Sequence, residues 1–113
     1  MLTAGAVVAA GAMGAGVASG ARTSHIDAKS QGFKFNRKTV RLRHGRVTFV
    51  MKNPSSFPHA IAVDGQGIDK KGKIVQKNGT SRVTVNLKRG RYVFYCPVGN
   101  HRQQGMRGSL IVR

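Results

Sequence analysis

From residue 32 onward the chain is written in short runs that alternate apolar and polar side chains. Phe33-Lys34-Phe35, Val40-Arg41-Leu42 and Val47-Thr48-Phe49-Val50-Met51 carry apolar residues at or near every second position. That is the period of half-buried strands, one face inward and one wet. Turn signals at Asn36-Arg37 and His44-Gly45 separate the runs, and a polar bend at Asn53-Pro54 precedes His59-Ala60-Ile61-Ala62-Val63, which stops at Asp64-Gly65. Residues 65–78 read as a loop with one edge strand at Ile74-Val75. Thr80 to Leu87 alternates again, with Val83, Val85 and Leu87 on one face and Arg82, Thr84 and Asn86 on the other. Lys88-Arg89-Gly90 turns the chain into Tyr92-Val93-Phe94-Tyr95, and Gly108 to Val112 supplies the final strand. Seven or eight short strands with regular turns and no helical period predict an all-β, Greek-key β-sandwich over residues 32–113.

The first segment is of another kind. Leu2 to Ala21 has no charged residue, and 13 of its 20 residues are alanine or glycine. Ser19-Gly20-Ala21 offers the small residues of a signal-peptidase site, and Arg22 opens the polar part of the chain. Residues 1–21 therefore read as a signal peptide, although no Lys or Arg precedes the apolar run. The alternative is an N-terminal membrane anchor, since the length suffices to span a bilayer. Residues 22–31 have no apolar period and read as a flexible linker.

Charge narrows the choice of partners. Twenty Lys and Arg face three acids, Asp27, Asp64 and Asp69, for a formal net charge of +17. Such an excess attracts acidic proteins and anionic membrane surfaces, with on-rates that fall as salt rises. The basic residues are dispersed over strand faces and turns rather than gathered on a helix or between aromatics, which argues against nucleic acid. The lone cysteine excludes an internal disulfide.

That cysteine opens Cys96-Pro97-Val98-Gly99-Asn100-His101-Arg102-Gln103-Gln104-Gly105-Met106, in which a thiol, an imidazole and a thioether follow at five-residue steps. A His₂Cys set with a distant methionine is the donor set of a mononuclear copper site used for electron transfer. The second histidine is sought among His25, His44 and His59. His25 lies in the expected linker and His44 in a turn, both ordinary places for a solvated histidine. His59 follows Phe57-Pro58 and opens an apolar strand, so it starts from a φ-restricted backbone. Pro97, Gly99 and Gly105 suit a loop that must turn tightly.

Two stretches resemble the cupredoxins, or small blue copper proteins. Asn53 to Asp64, NPSSFPHAIAVD, is similar to the first-ligand segment of plastocyanins, and Tyr92 to Val112, YVFYCPVGNHRQQGMRGSLIV, to the terminal ligand loop of bacterial cupredoxins, including sulfocyanin-like proteins. The resemblance covers residues 33–113. It implies a cupredoxin-like sandwich with His59, Cys96 and His101 as equatorial copper ligands and Met106 as a weak axial one. It also implies Asn53 as a brace bonded across to the ligand loop. Two departures bear on the bonds around sulfur: Ala60 stands where plastocyanins have Asn, and Val98-Gly99-Asn100 leads into His101 where many bacterial members have Pro-Gly.

The function so implied is a type 1 copper protein carrying one electron, Cu(I)/Cu(II), between extracytoplasmic redox partners. Copper carriage or delivery without electron transfer is the alternative. The chain has no His-X-His pair for a catalytic copper cluster and no second cysteine for a binuclear centre, so it is not expected to be an enzyme. A monomer is expected, exported to the periplasm or beyond, or membrane-associated through its N-terminal segment. The expected partner is an acidic redox protein such as a cytochrome or oxidase, or an anionic membrane surface, docked at Arg102 and Arg107 beside the ligand loop.

Overall fold

The computed structural model describes residues 21–113, and the signal or anchor expected over residues 1–21 falls almost wholly outside them. Among the described residues eight strands form two mixed sheets. In chain order they are β1 (Arg22–His25), β2 (Thr39–Leu42), β3 (Gly45–Lys52), β4 (Ala62–Gly65), β5 (Ile68–Lys71), β6 (Thr80–Leu87), β7 (Gly90–Tyr95) and β8 (Arg107–Val112). One sheet has the order β1-β3-β6 and the other β2-β8-β7-β4-β5. The β1–β3 and β2–β8 pairs are parallel and the rest antiparallel. Five of the seven connections cross between the sheets, which makes the molecule the all-β sandwich expected from its alternating runs. No helix long and apolar enough to cross a membrane occurs among the described residues.

The alternation of β6 is realised as read: Val83, Val85 and Leu87 are buried while Arg82 and Asn86 are exposed. In β3 the pattern is overridden. As the central strand of its sheet it is flanked on both sides, and Val47 through Met51 are all buried, with Thr48 and Thr84 sharing a hydroxyl–hydroxyl bond of 2.7 Å across the ladder. Phe49, Met51, Ile61, Val63, Phe94 and Leu110 fill the space between the sheets, all fully buried.

The linker expectation for residues 22–31 is corrected. Arg22–His25 pairs in parallel with β3, and Ser24, Ile26 and Ala28 are buried at alternate positions. Ile26 N–H donates to Val50 O at 3.0 Å and Ala28 N–H to Lys52 O at 3.0 Å, so the segment is zipped along β3 almost to its end. Two further boundaries move. The Phe33-Phe35 run forms only a bridge from Phe35 to Ala28, and the 65–78 region holds β5, with Val75 in a separate bridge to His59.

Candidate metal centre

Each donor is delivered by a different local device. Cys96 follows the last residue of β7, the middle strand of the five-stranded sheet. Its N–H donates to Met106 O at 3.0 Å, which closes the loop at its base. Within the loop His101 N–H donates to Val98 O and Met106 N–H to His101 O, each at 3.0 Å. Gly99 at φ +48° and Gly105 at φ +107° adopt the left-handed conformations that these turns need. Eleven residues are thereby folded back so that both ends face inward.

His59 comes from the facing segment. Its N–H and C=O exchange bonds with Val75 at 3.1 and 2.9 Å, which fixes its backbone outside any regular strand. Asn53 holds the flanks: Nδ2 donates to Phe57 O at 2.8 Å and Val75 O at 3.0 Å, while Oδ1 accepts from Ser55 N–H at 3.0 Å. Its amide is spent on the His59 segment, so the expected bond to the ligand loop is replaced by a brace behind the first histidine.

The donor atoms converge. His59 Nδ1 lies 3.8 Å and His101 Nδ1 3.6 Å from Cys96 Sγ, and the three ligand atoms all lie within 4.8 Å of one another. All three residues are buried, and fully buried Met106 belongs to the same core cluster as Cys96. His25 and His44 stay apart: His25 is exposed on β1, and His44 Nδ1 meets Arg113 O at 3.1 Å.

The electrostatics suit a cation. Burial, aided by repulsion from His101, pushes His59 down to about 4, and burial also lowers His101. Both rings are therefore neutral at pH 7, the ligating form. His59 Nε2 is buried with no hydrogen-bond partner among the described residues, while its Nδ1 turns toward sulfur. Burial pushes the Cys96 thiol up, opposed by backbone N–H groups of Ala60 and Val98 that bond the sulfur. A bound cation would supply the counter-charge that burial removes.

Phe33 was not marked by its sequence context. Its ring stacks on His101 at 4.1 Å between centroids and 14° between planes, with Phe57 edge-on to it at 5.0 Å. Nothing in the local pattern signals this, because the two residues are brought together only by the fold. The arginines beside the loop are also placed differently from a free docking pair. Arg102 pairs with Asp64 at 3.1 Å and lies 4.0 Å over the Tyr95 ring, while Arg107 Nη1 donates to Arg102 O at 2.8 Å. Tyr95 donates in turn to Asp69, which also pairs with Lys71 at 3.0 Å.

Comparisons with known proteins agree with this geometry. No curated protein sequence matches the chain significantly. Among solved structures, auracyanin B has a TM-score of 0.74 at 15% identity, covering 81% of this chain and 88% of its own. Auracyanin A, the "blue" copper protein of Chloroflexus aurantiacus, has 0.72 at 22% identity, covering 83% of this chain and 100% of its own. A multicopper oxidase matches with 0.65 at 19% identity, over 82% of this chain and 42% of its own. The model of the copper-binding plastocyanin/azurin family matches residues 22–113. With the sandwich in place and His59, Cys96, His101 and Met106 forming a type 1 copper site, the chain belongs to the plastocyanin/azurin family of copper-binding proteins.

Proposed function

We propose that the protein is a one-electron carrier working outside the cytoplasm, between redox partners and without a reaction of its own. The observation that carries the reading is the convergence of two neutral imidazoles on one buried thiol, with a thioether in the same core cluster. Copper, when bound, would supply a Cu(I)/Cu(II) couple, and soft sulfur with borderline nitrogen suits both states. The chain supplies rigidity: Asn53 and the Val75 bridge hold one histidine, and the Cys96–Met106 bond holds the loop bearing the other. Ala60 and Val98 N–H groups steady charge on sulfur. His101, 8% exposed, is the ligand that reaches the surface, so the electron is expected to cross there.

Export is supported by the uncharged Ala/Gly-rich segment Leu2 to Ala21, and the absence of any His-X-His pair favours a carrier over an oxidase. The net charge of +17 favours an acidic partner. The test is voltammetry of the copper-loaded protein together with electron self-exchange by NMR line broadening. A carrier gives one reversible one-electron wave with the metal retained in both states. Loss of the metal on reduction would instead identify a delivery protein.

A further inference from the structure

A groove of about 650 Å³ opens beside the ligand loop, between residues 29–38 and the stretch from Gly105 to Ser109. Lys29, Lys34, Arg37, Lys38 and Arg107 surround it, all exposed, and Phe35 and Val93 give it an apolar floor. No carboxylate lines it. The chain has three acids, and each is engaged elsewhere: Asp27 accepts from the Lys52 amide, Asp64 pairs with Arg102, and Asp69 holds Lys71 and Tyr95. Five cations around one concavity repel one another, and nothing within the chain compensates them.

The groove borders the ligand loop, since Gly105 and Arg107, on either side of Met106 in the chain, are among its lining residues. Lys34, on its other side, is next in the chain to Phe33, whose ring stacks on His101. A partner segment seated in the groove would thus lie beside the segment and the loop that carry Phe33 and Met106. We infer that this groove receives a carboxylate-rich segment of the redox partner, one that carries an apolar side chain among its acids. The inference rests on the carrier reading above. It shifts recognition from Arg102, already held by Asp64 and Tyr95, to the 29–38 segment with Arg107. A phosphate-sized anion would fill only a fraction of the volume, and a flat lipid surface would not reach the Phe35 and Val93 floor. Acidic side chains on either side of one apolar residue match both the rim and the floor.

The test uses the copper-loaded chain and an acidic heptapeptide with glutamates flanking one leucine, titrated at low salt. Two charge-matched variants are compared. One carries Lys34→Glu, Arg37→Glu and Lys38→Glu, and the other Lys88→Glu, Arg89→Glu and Arg91→Glu at the opposite end of β7. The groove variant is expected to lose about 10-fold or more in affinity and the control about 3-fold or less, with the visible spectrum unchanged in both. If charge reversal unfolds the groove variant, the milder Lys34→Gln, Arg37→Gln and Lys38→Gln set carries the comparison, with a smaller loss in the same direction. Equal losses in the two variants would overturn the inference, since only net charge would then matter. So would an unchanged peptide affinity with binding lost to inorganic triphosphate or phosphatidylserine vesicles, which would assign the groove to a small anion or a membrane. A wild-type protein that binds the peptide but shows no reversible wave would defeat the carrier reading and leave the groove standing.

Discussion

The two segments that bring histidine to the site are built in opposite ways. Asn53 to His59 is a wall: its turns are locked by Asn53 and Ser55, it is bridged to Val75, and His59 ends fully buried. Cys96 to Met106 is a hairpin-like loop closed by one bond at its base, and its histidine keeps an edge toward solvent under the Phe33 ring. The difference separates two duties that a carrier must combine. On the proposed carrier reading, the wall would hold geometry while the redox state changes, and the loop would give the electron a way out.

The contrast breaks most visibly on removal of each ring. Either His59→Gly or His101→Gly should abolish the intense visible band on Cu(II) loading. Added imidazole should restore it in His101→Gly, whose space opens to solvent, and not in His59→Gly, whose space is sealed; rescue of both would erase the distinction. Next in size is the pH response of the metal-free protein. His59 is held at about 4 against an ordinary 6.5, so between these values the unfolded chain takes up a proton that the native site refuses. Stability is therefore full above pH 6.5 and falls toward pH 4, by about 3 kcal/mol from this group, with His101 adding in the same direction. Urea titrations at pH 7 and 4.5 measure it, and His59→Phe should flatten the slope.

Asn53→Ala strips the wall of two donated bonds and one accepted bond, and should cost about 2 kcal/mol by urea titration. Its spectral change should be that of a loosened His59, with His101 unaffected. Phe33→Leu removes the stack on the loop side and should cost only about 1 kcal/mol. Its clearer signature is altered electron-nuclear coupling at His101 alone, measured by pulsed EPR of the Cu(II) protein.

How much of this was legible follows from which contacts are local. The alternation of β6 declares its own buried face, and the five-residue steps of Cys96, His101 and Met106 declare the ligand loop. Strand β1 and the residues that continue it to Ala28 are hidden because their buried positions are Ser24, Ile26 and Ala28, only one of them strongly apolar, and because the partner strand β3 runs parallel and lies distant in sequence. Apolar His59 to Val63 reads as one strand, yet β4 begins only at Ala62, since His59 is held by Val75 and Ile61 N–H meets the Ser81 hydroxyl. The Phe33 stack and the Arg102–Asp64 pair join residues 68 and 38 positions apart, a closeness that only tertiary packing creates. The resemblance implies Asn53 as a brace, but the direction of its amide depends on where Val75 lies.

The most direct test of the central claim is the spectrum of the Cu(II)-loaded chain beside that of Cys96→Ser. Thiolate ligation within the His59, Cys96, His101 and Met106 set predicts an intense visible charge-transfer band and a narrow parallel copper hyperfine splitting in the wild type. Both should vanish in the serine variant, which retains the two histidines. A spectrum that survives the substitution unchanged would contradict the site.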